Sequence, residues 1–367
     1  MKALSADEDN SFVPKLPKKQ LAEYNKLKSE KIKEIKKQFD TKYREFFSKL
    51  SKGIKEDQFH KVVLNSCIFP FVQKGLLTEK LDYTYIRSSP LSELKVRNVD
   101  FLIASQKNGL AIFGEAKGSI DDPSRVISEY KQRIEVINNN YEYVKKFVPS
   151  LSKIEFVLGV PSMDAMNTVK AILRSNVDII VWATGGIGEQ QLSLVVPPNV
   201  SGDIKKRIMH LDNELNRSLN KVPTSEEYKT FFHESHPVTK MGILTWLAKR
   251  NDDFSFDDVK KIVSDELDNT SDLDIEQESK NIISLGIDID FVTPKADGNY
   301  TIHSRRNNSK SRFDELQKKW IGYRYNTELS AKIDEEITKL DTEFIKKHGI
   351  QTSLQFDRDV ANNPKNL

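Results

Sequence analysis

Three charged residues in the first half of the chain have types and spacing suited to metal-assisted attack of water on a phosphate ester. Asp100 lies in the apolar, β-branched segment 95–104, and Glu115 and Lys117 follow the apolar run Leu110–Gly114. Residues i and i+2 of a β-strand point to the same face, so the side chains of Glu115 and Lys117 are expected to project together. Paired carboxylates suit a hard divalent cation such as Mg²⁺, and an adjacent lysine can orient or deprotonate a water.

The connection between the two apolar segments is typical of a hairpin. It reads Ser105–Gly109 and contains Asn108 followed by Gly109, a pair of residues common in tight turns. A hairpin would place the two strands side by side and antiparallel. Asp100 and Glu115 are then expected to face each other across one strand pair.

The elements around these residues alternate between helical and strand patterns. Apolar periodicity predicts helices over 56–68, 124–147 and 162–173, and strands over 81–87, 95–104, 110–117, 153–160 and 177–182. Read along the chain, the order is α, β, β, β, α, β, α, β. Such an order predicts an α/β domain with a central sheet covered by helices.

Asp100, the run Glu115-Ala116-Lys117 and this order of elements resemble the PD-(D/E)xK nuclease superfamily, over roughly residues 55–185. That superfamily includes restriction endonucleases, repair nucleases and some transposase subunits. The resemblance implies a restriction-endonuclease-like central mixed sheet flanked by helices. Val99 stands where the family name has proline, a position that does no chemistry.

The resemblance also implies roles for individual residues. Lys117 would act on the attacking water or on the phosphate, and Mg²⁺ would be the cofactor, with Mn²⁺ able to substitute. The implied metal ligands are Asp100, Glu115, the Ala116 carbonyl and an acid on the first helix, either Glu56 or Asp57. The implied catalytic residues are Asp100, Glu115, Lys117 and Gln132, the last from the helix that follows the motif.

A plainer interpretation of the same residues is an exposed Glu-Lys pair on an edge strand beside a solvated aspartate. The flanking segments, however, are apolar at successive positions, as expected for strands covered on both faces. Charges within such a run are costly unless they are paired or bind a ligand. The pattern therefore favours the metal site.

Length, cysteine content and hydropathy bound the class of protein. The 367 residues can form two or three domains, and a single cysteine, Cys67, excludes an intramolecular disulfide. No apolar run approaches the length of a membrane span, and the start, Met1–Asn10, is polar and acidic rather than a signal peptide. We expect a soluble protein with no membrane partner, and the resemblance to restriction enzymes implies a prokaryotic cytoplasm.

Charge is unevenly distributed along the chain. Segment 15–55 holds fourteen Lys and Arg against five Asp and Glu, whereas segment 251–278 holds eleven acids against two lysines. Apolar residues three or four apart in the basic segment predict one or two amphipathic helices. Their basic face could bind phosphate. Equally, it could be a solvated face or a dimerisation arm, and the sequence leaves these open.

The C-terminal half shows a second pattern. Helices are predicted over 238–249, 255–264 and 274–285, the last ended by Gly286, with strands 287–292 and 299–302 around a turn. Three helices and a two-stranded wing resemble a winged-helix domain. The third helix is acidic, however, so either the wing and the basic residues after it contact nucleic acid or the module binds protein. The basic residues concerned are Arg305, Arg306, Lys310 and Arg312.

These patterns predict five parts: a basic helical arm (1–55), a nuclease core (56–200), a helical linker (201–236), a winged-helix-like domain (237–325) and a C-terminal helix and tail (326–367). The resemblance implies a Mg²⁺-dependent DNA endonuclease, first a type II restriction enzyme that acts on double-stranded DNA as a homodimer. One alternative is the endonuclease subunit of a heteromeric transposase. The other is a non-catalytic nucleic-acid-binding or regulatory protein built on a nuclease scaffold.

Overall fold

The computed structural model describes most of the chain between residues 16 and 348. The described ranges are 16–72, 76–94, 96–185, 192–195, 197–198, 202–204, 237–250, 253–266, 274–304 and 309–348. Residues within 51–319 form one compact unit, and residues within 1–50 and 320–367 form another. The linker predicted at 201–236, apart from residues 202–204, and the basic residues Arg305 and Arg306 lie outside the described ranges.

The first unit contains a mixed six-stranded sheet flanked by helices, so the protein belongs to the α/β class. The strands follow chain order across the sheet: β1 (Thr84–Ser88), β2 (Phe101–Ser105), β3 (Leu110–Ala116), β4 (Lys153–Pro161), β5 (Ile180–Thr184) and β6 (Leu192–Val195). β1, β2 and β3 are antiparallel neighbours, β3, β4 and β5 are parallel, and β6 is antiparallel to β5. The predicted order of helices and strands is confirmed.

Four helices accompany this sheet in the chain. They are α1 (Lys18–Ile68), α2 (Pro123–Asn139), α3 (Tyr141–Lys145) and α4 (Ser162–Ser175). Two short 3₁₀ turns, Phe69–Phe71 and Ser92–Leu94, and one π-helical turn, Leu76–Lys80, complete the connections. The helix predicted over 124–147 is therefore two helices, because the chain leaves helical geometry at Asn140, whose side chain donates to the Val136 carbonyl at 2.8 Å.

Strict alternation along the strands divides the core into two layers. In β2, Phe101 and Ile103 pack with the end of α1, whereas Leu102 and Ala104 pack with α2 and α4. Every residue of β2, β3 and β5 is buried. Both sheet faces are thus covered, as the continuous apolar runs predicted. In β3 the odd-numbered positions, among them Phe113, face α2, which fixes the direction expected for Glu115.

The second unit is a pair of antiparallel helical segments that are far apart in the sequence. Residues 16–50 of α1 pack along residues 320–348 of α8 (Ser309–His348). Tyr24 donates to Asp341 at 2.5 Å and stacks edge-on against Phe344, and Tyr325 donates to Asp40 at 3.0 Å. The apolar side predicted for the basic segment is therefore occupied by another part of the same chain, and residues 18–68 form one helix rather than two.

A further group of helices and strands in the first unit lies within residues 237–304. It contains α5 (Pro237–Arg250), α6 (Phe256–Glu266), α7 (Ile275–Asp288) and a three-stranded antiparallel sheet in the order β7 (Asp253–Phe254), β9 (Tyr300–Ile302), β8 (Val292–Pro294). The third strand, β7, is too short for a periodic signal in the sequence. Gly286 does not end α7 as predicted. It lies inside the helix, where Val292 packs so closely that a Cβ on Gly286 would stand 2.6 Å from the valine Cγ2.

None of the helices that the structure describes is both long and apolar enough to cross a bilayer.

Candidate active site

The β2-β3 hairpin brings Asp100 and Glu115 together. Phe101 pairs with Gly114 in the antiparallel register, so the next residues outward on the two strands, Asp100 and Glu115, lie opposite each other. The Asp100 amide donates to the Gly114 carbonyl at 2.9 Å, which extends the ladder by one step. The expected juxtaposition of the two carboxylates is present.

Asp100 is held by groups from two other elements. Its Oδ2 accepts a hydrogen bond from the Ala116 amide at 2.6 Å and lies 3.3 Å from Nε2 of His60, a residue of α1. Burial acts to raise the pKa of Asp100, but the hydrogen bond and charge of His60, the Ala116 amide and the Lys117 charge together lower it below its ordinary value. Because an ionised carboxylate can only accept, the imidazole is the donor.

The same contact affects His60. Burial lowers the pKa of the imidazole, while the hydrogen bond and the negative charge of Asp100 raise it, and the net result is a pKa above the ordinary value. His60 therefore contributes positive charge beside Asp100 more readily than a free histidine would.

Glu115 is almost fully buried and lies between two cations. Its Oε1 accepts from Nζ of Lys117 at 2.6 Å, which confirms that the i and i+2 side chains project together. Its Oε2 pairs with Nη1 of Arg133 on α2, and both of these side chains are about 95% buried. Within the described chain this Oε2 nonetheless accepts no well-directed hydrogen bond, and the Arg133 Nε donates none.

The surroundings raise the pKa of Glu115. Burial is the largest cause and the charge of Asp100 the next, while Lys117 and Arg133 oppose both. Two buried carboxylates that influence each other's pKa need compensating positive charge. In the structure that compensation comes from side chains, because Lys117 pairs with Oε1 and Arg133 with Oε2.

A cleft of about 460 Å³ opens beside these residues. Glu56, Asp57 and His60 of α1 line it, together with Ala116 and Lys117. The first-helix acids named from the sequence are thus at the site, with the Glu56 side chain half exposed and 3.5 Å from Lys52. The complete lining adds Arg97, Gly118, Ser119, Ile120, Asp121, Asp122, Arg125, Val126 and Glu129.

Gln132 is placed differently from the other candidates. It is exposed on α2, whereas its neighbour Arg133 is buried and reaches Glu115. Arg133 and His60 are the site residues that the sequence reasoning missed. A signal existed for both: Arg133 shares a helical stripe with Tyr130 and Ile137, and His60 lies three and four residues before the buried Val63 and Leu64. A charge on a buried helix face requires a partner.

The donors present fit a hard divalent cation better than a transition metal. No three His, Cys, Asp or Glu side chains in the described ranges converge as a ready-made metal group. A cation at this edge would therefore be bound by the carboxylates of Asp100 and Glu115, by main-chain oxygen and by water. Mg²⁺ commonly binds proteins through only one or two carboxylates and retains several waters.

Close contact between α1 and the loop after β3 holds His60 near Asp100. A Cβ on Gly118 would lie 2.4 Å from the amide nitrogen of His60 and 2.9 Å from the Glu56 carbonyl oxygen, both of them backbone atoms. Neither atom can move without moving the helix. Glycine at position 118 is therefore required for this approach.

We expect Gly118→Ala to destabilise the protein by about 1–3 kcal/mol, because overpacking must push α1 away from the loop. Urea denaturation monitored by circular dichroism measures the change. Gly53→Ala is the control, since a Cβ there meets no atom within 4 Å and α1 is helical at that point. That variant should be neutral or more stable by up to about 1 kcal/mol. Equal urea midpoints for Gly118→Ala and Gly53→Ala would show that α1 and the loop after β3 are not in tight contact.

Comparisons with protein-family models, with curated proteins and with solved structures found no match to this chain. Its function therefore has to be inferred from its own side chains.

Proposed function

We propose that the protein is a Mg²⁺-dependent endonuclease that hydrolyses phosphodiester bonds in DNA. The observation that carries the proposal is that Asp100, Glu115 and Lys117 meet at the end of the β2-β3 hairpin, where Lys117 also lines the cleft beside the two buried carboxylates. These three residues lie within a segment of eighteen residues, and two carboxylates and a lysine are the groups that such a reaction needs. The resemblance to PD-(D/E)xK nucleases supports the same assignment.

Asp100, Glu115 and the Ala116 carbonyl are the groups that would hold the metal, with Glu56 or Asp57 near enough to the cleft to assist through water. When bound, a divalent cation lowers the pKa of a coordinated water and polarises the scissile phosphate. Mn²⁺ accepts the same oxygen donors and would substitute. His60 keeps Asp100 ionised and oriented through its hydrogen bond to Oδ2.

Lys117 is the side chain placed to act on the reaction itself. Its ammonium is about one quarter exposed and is anchored 2.6 Å from Glu115, so it lies at the boundary between the buried carboxylates and the cleft. From there it can orient the attacking water or stabilise negative charge on the phosphate oxygens. A lysine fixed by a buried partner needs little reorganisation to do so.

The charge around the site is mixed. The two carboxylates and the cations Lys117 and Arg133 cancel, and the cleft lining adds five acids against Arg97 and Arg125. A bound divalent cation would supply the positive charge that a phosphodiester linkage needs there.

The module at 237–304 supports a particular class of nuclease. We propose that its three helices and small sheet form a winged-helix domain, and that it contacts protein through α7. The exposed acids of that helix are Glu276 and Asp288, and its single cation, Lys280, is paired with Glu276 at 2.7 Å. Such a surface is poorly suited to approach phosphates. A nuclease core joined to such a module fits a type II restriction endonuclease acting as a homodimer.

Cleavage of supercoiled plasmid in the presence of Mg²⁺ tests the proposal. Wild-type protein should cut, and discrete fragments would identify a restriction enzyme. Lys117→Met should slow cutting by about 10²–10⁴-fold, since it removes a group acting on the transferred proton or phosphate. Lys153→Met is the matched control, because Lys153 pairs with the buried Glu155 at 2.5 Å, two residues along a neighbouring strand, and lines a different cavity.

The outcomes separate the alternatives. Cutting by wild type and Lys153→Met but not by Lys117→Met supports the endonuclease. A protein that shifts DNA in a gel but never cuts it, with Mg²⁺ or Mn²⁺, would contradict the proposal and favour a binding protein on a nuclease scaffold. Cutting that requires an added transposase would favour the transposase subunit.

A further inference from the structure

One side of the α1 segment 16–50 carries a row of basic residues. Lys19, Lys26, Lys33, Lys37 and Arg44 are spaced by seven, seven, four and seven residues, so they project from one face of the helix. All five are exposed. We call these five residues the basic row. At 1.5 Å per residue it extends over about 37 Å, close to one turn of duplex DNA.

The basic row is opposite the side of α1 that packs on α8. Tyr24, Ile35 and Phe39 face α8, where Tyr24 contacts Phe344 and Phe39 contacts Tyr325. Because α8 covers the apolar side, this helix has no uncovered apolar stripe that would make it a dimerisation arm. Its free face is mainly the charged one.

The basic row is not neutralised by its surroundings. Residues 16–50 hold eleven Lys and Arg against five Asp and Glu, whereas residues 320–348 hold five against six. None of the five side chains of the row forms an ion pair within the described part of the chain. Two acids lie on this side of α1: Glu30, which forms no ion pair with the row, and Asp40, which accepts from the Tyr325 hydroxyl at 3.0 Å, so the five cations of the row outnumber them. The positive charge of the row is therefore directed at solvent.

On α8, by contrast, lysines with this spacing include two that are neutralised by neighbouring acids. Lys332, Lys339 and Lys346 on α8 have the same spacing of seven residues. Lys332 and Lys339 are bridged to Glu335 and Glu336 at 2.5–3.3 Å. Two of these three lysines are thus paired within α8, whereas the cations of the basic row form no ion pair in the described part of the chain.

We infer that the basic row is a binding surface for the phosphate backbone of double-stranded DNA. The choice of DNA as partner rests on the proposed nuclease function, while the surface itself rests on charge and spacing. Lysines and arginines along a rigid helix contact phosphates without reading bases, so the contribution is independent of sequence and sensitive to salt. The surface would add affinity that the acidic α7 cannot supply.

The test compares two triple variants of the full chain. One is Lys19→Gln, Lys26→Gln, Lys33→Gln, and the other is Lys332→Gln, Lys339→Gln, Lys346→Gln. Both remove three positive charges at the same helical spacing from the same helix pair. Binding to a 30-base-pair duplex (a length of about three helical turns) is measured in EDTA over a series of salt concentrations. Circular dichroism and thermal unfolding confirm that both variants are folded.

We expect the α1 variant to reduce the slope of log Kobs against log salt by about 2–3, since each lost phosphate contact removes about 0.9. Its affinity near 0.1 M salt should fall by at least about tenfold. The α8 variant should keep the wild-type slope. Equal slopes for both variants, or an unchanged slope for the α1 variant, would overturn the inference.

Binding in EDTA separates this inference from the proposed function. A wild type that binds with a steep salt slope through α1 but never cuts DNA would retain the surface and refute the nuclease. If the wild type cuts DNA but the α1 variant binds and cuts as well as the α8 variant, the nuclease would be retained and the binding surface refuted.

Discussion

Asparagine in place of Asp100 is expected to abolish cleavage and leave the fold intact. The side chain accepts hydrogen bonds through Oδ2 from the Ala116 amide and from His60. An asparagine oxygen can still accept from one of them, so the shape of the hairpin survives. The negative charge, however, is lost, and with it a ligand for the metal and the partner that raises the pKa of His60. We expect a rate loss of at least about 10²–10³-fold.

Three measurements separate loss of chemistry from loss of structure. Single-turnover cleavage gives the rate, calorimetric titration of Mg²⁺ gives metal affinity without DNA, and thermal unfolding gives stability. For Asp100→Asn we expect loss of both cleavage and Mg²⁺ binding. The melting temperature should stay near that of the wild type, because the substitution also removes the repulsion between Asp100 and Glu115. Asp178→Asn is the control, an exposed aspartate that also lies just before a strand. Asp100→Asn protein that cuts at the wild-type rate would refute the metal site.

The arrangement of the sheet was predictable because its signals are local. Apolar runs bounded by turn residues indicate strands, and Asn108-Gly109 indicates the hairpin, which places Gly109 in the left-handed region at φ +59°. Once the hairpin is granted, side-chain alternation alone brings Asp100 opposite Glu115. The core of the candidate site thus follows from about twenty consecutive residues.

The remaining parts of the site depend on contacts between distant segments. Amphipathic periodicity identifies the buried face of a helix but not the element that it meets. Arg133 could be assigned to a buried face and still not to Glu115, and His60 could not be linked to Asp100. The pairing of residues 16–50 with 320–348 spans about three hundred residues of chain, and no local pattern specifies it.

The structure also changes the role assigned to the helix after the motif. The resemblance placed Gln132 there as an assisting group, but α2 directs its neighbour, Arg133, to Glu115. One residue along a helix is a rotation of about 100°, enough to exchange a buried position for an exposed one. Arg133 is therefore the group that neutralises the second oxygen of Glu115 in the structure, and its replacement has the second large effect that we expect.

Arg133→Met should destabilise the metal-free protein by about 3–5 kcal/mol, because it leaves a buried carboxylate with one of its two cationic partners missing. Methionine keeps most of the volume, so the loss is electrostatic rather than a cavity. Urea denaturation in EDTA measures it. Arg125→Met is the control on the same helix, since Arg125 is largely exposed and pairs with Glu129 at 3.7 Å. That change should stay within about 0.5 kcal/mol of wild type.

Two further comparisons identify the cause of the loss. Adding Glu115→Gln to Arg133→Met removes both charges and should recover most of the stability, whereas additive losses would mean that the pair does not interact.

If Oε2 of Glu115 is a metal ligand, Mg²⁺ supplies the charge that Arg133 no longer does. Mg²⁺ should then raise the melting temperature of Arg133→Met more than that of wild type, and leave the double variant unchanged. Equal Mg²⁺ responses in all three proteins would show that Glu115 is paired for structure alone.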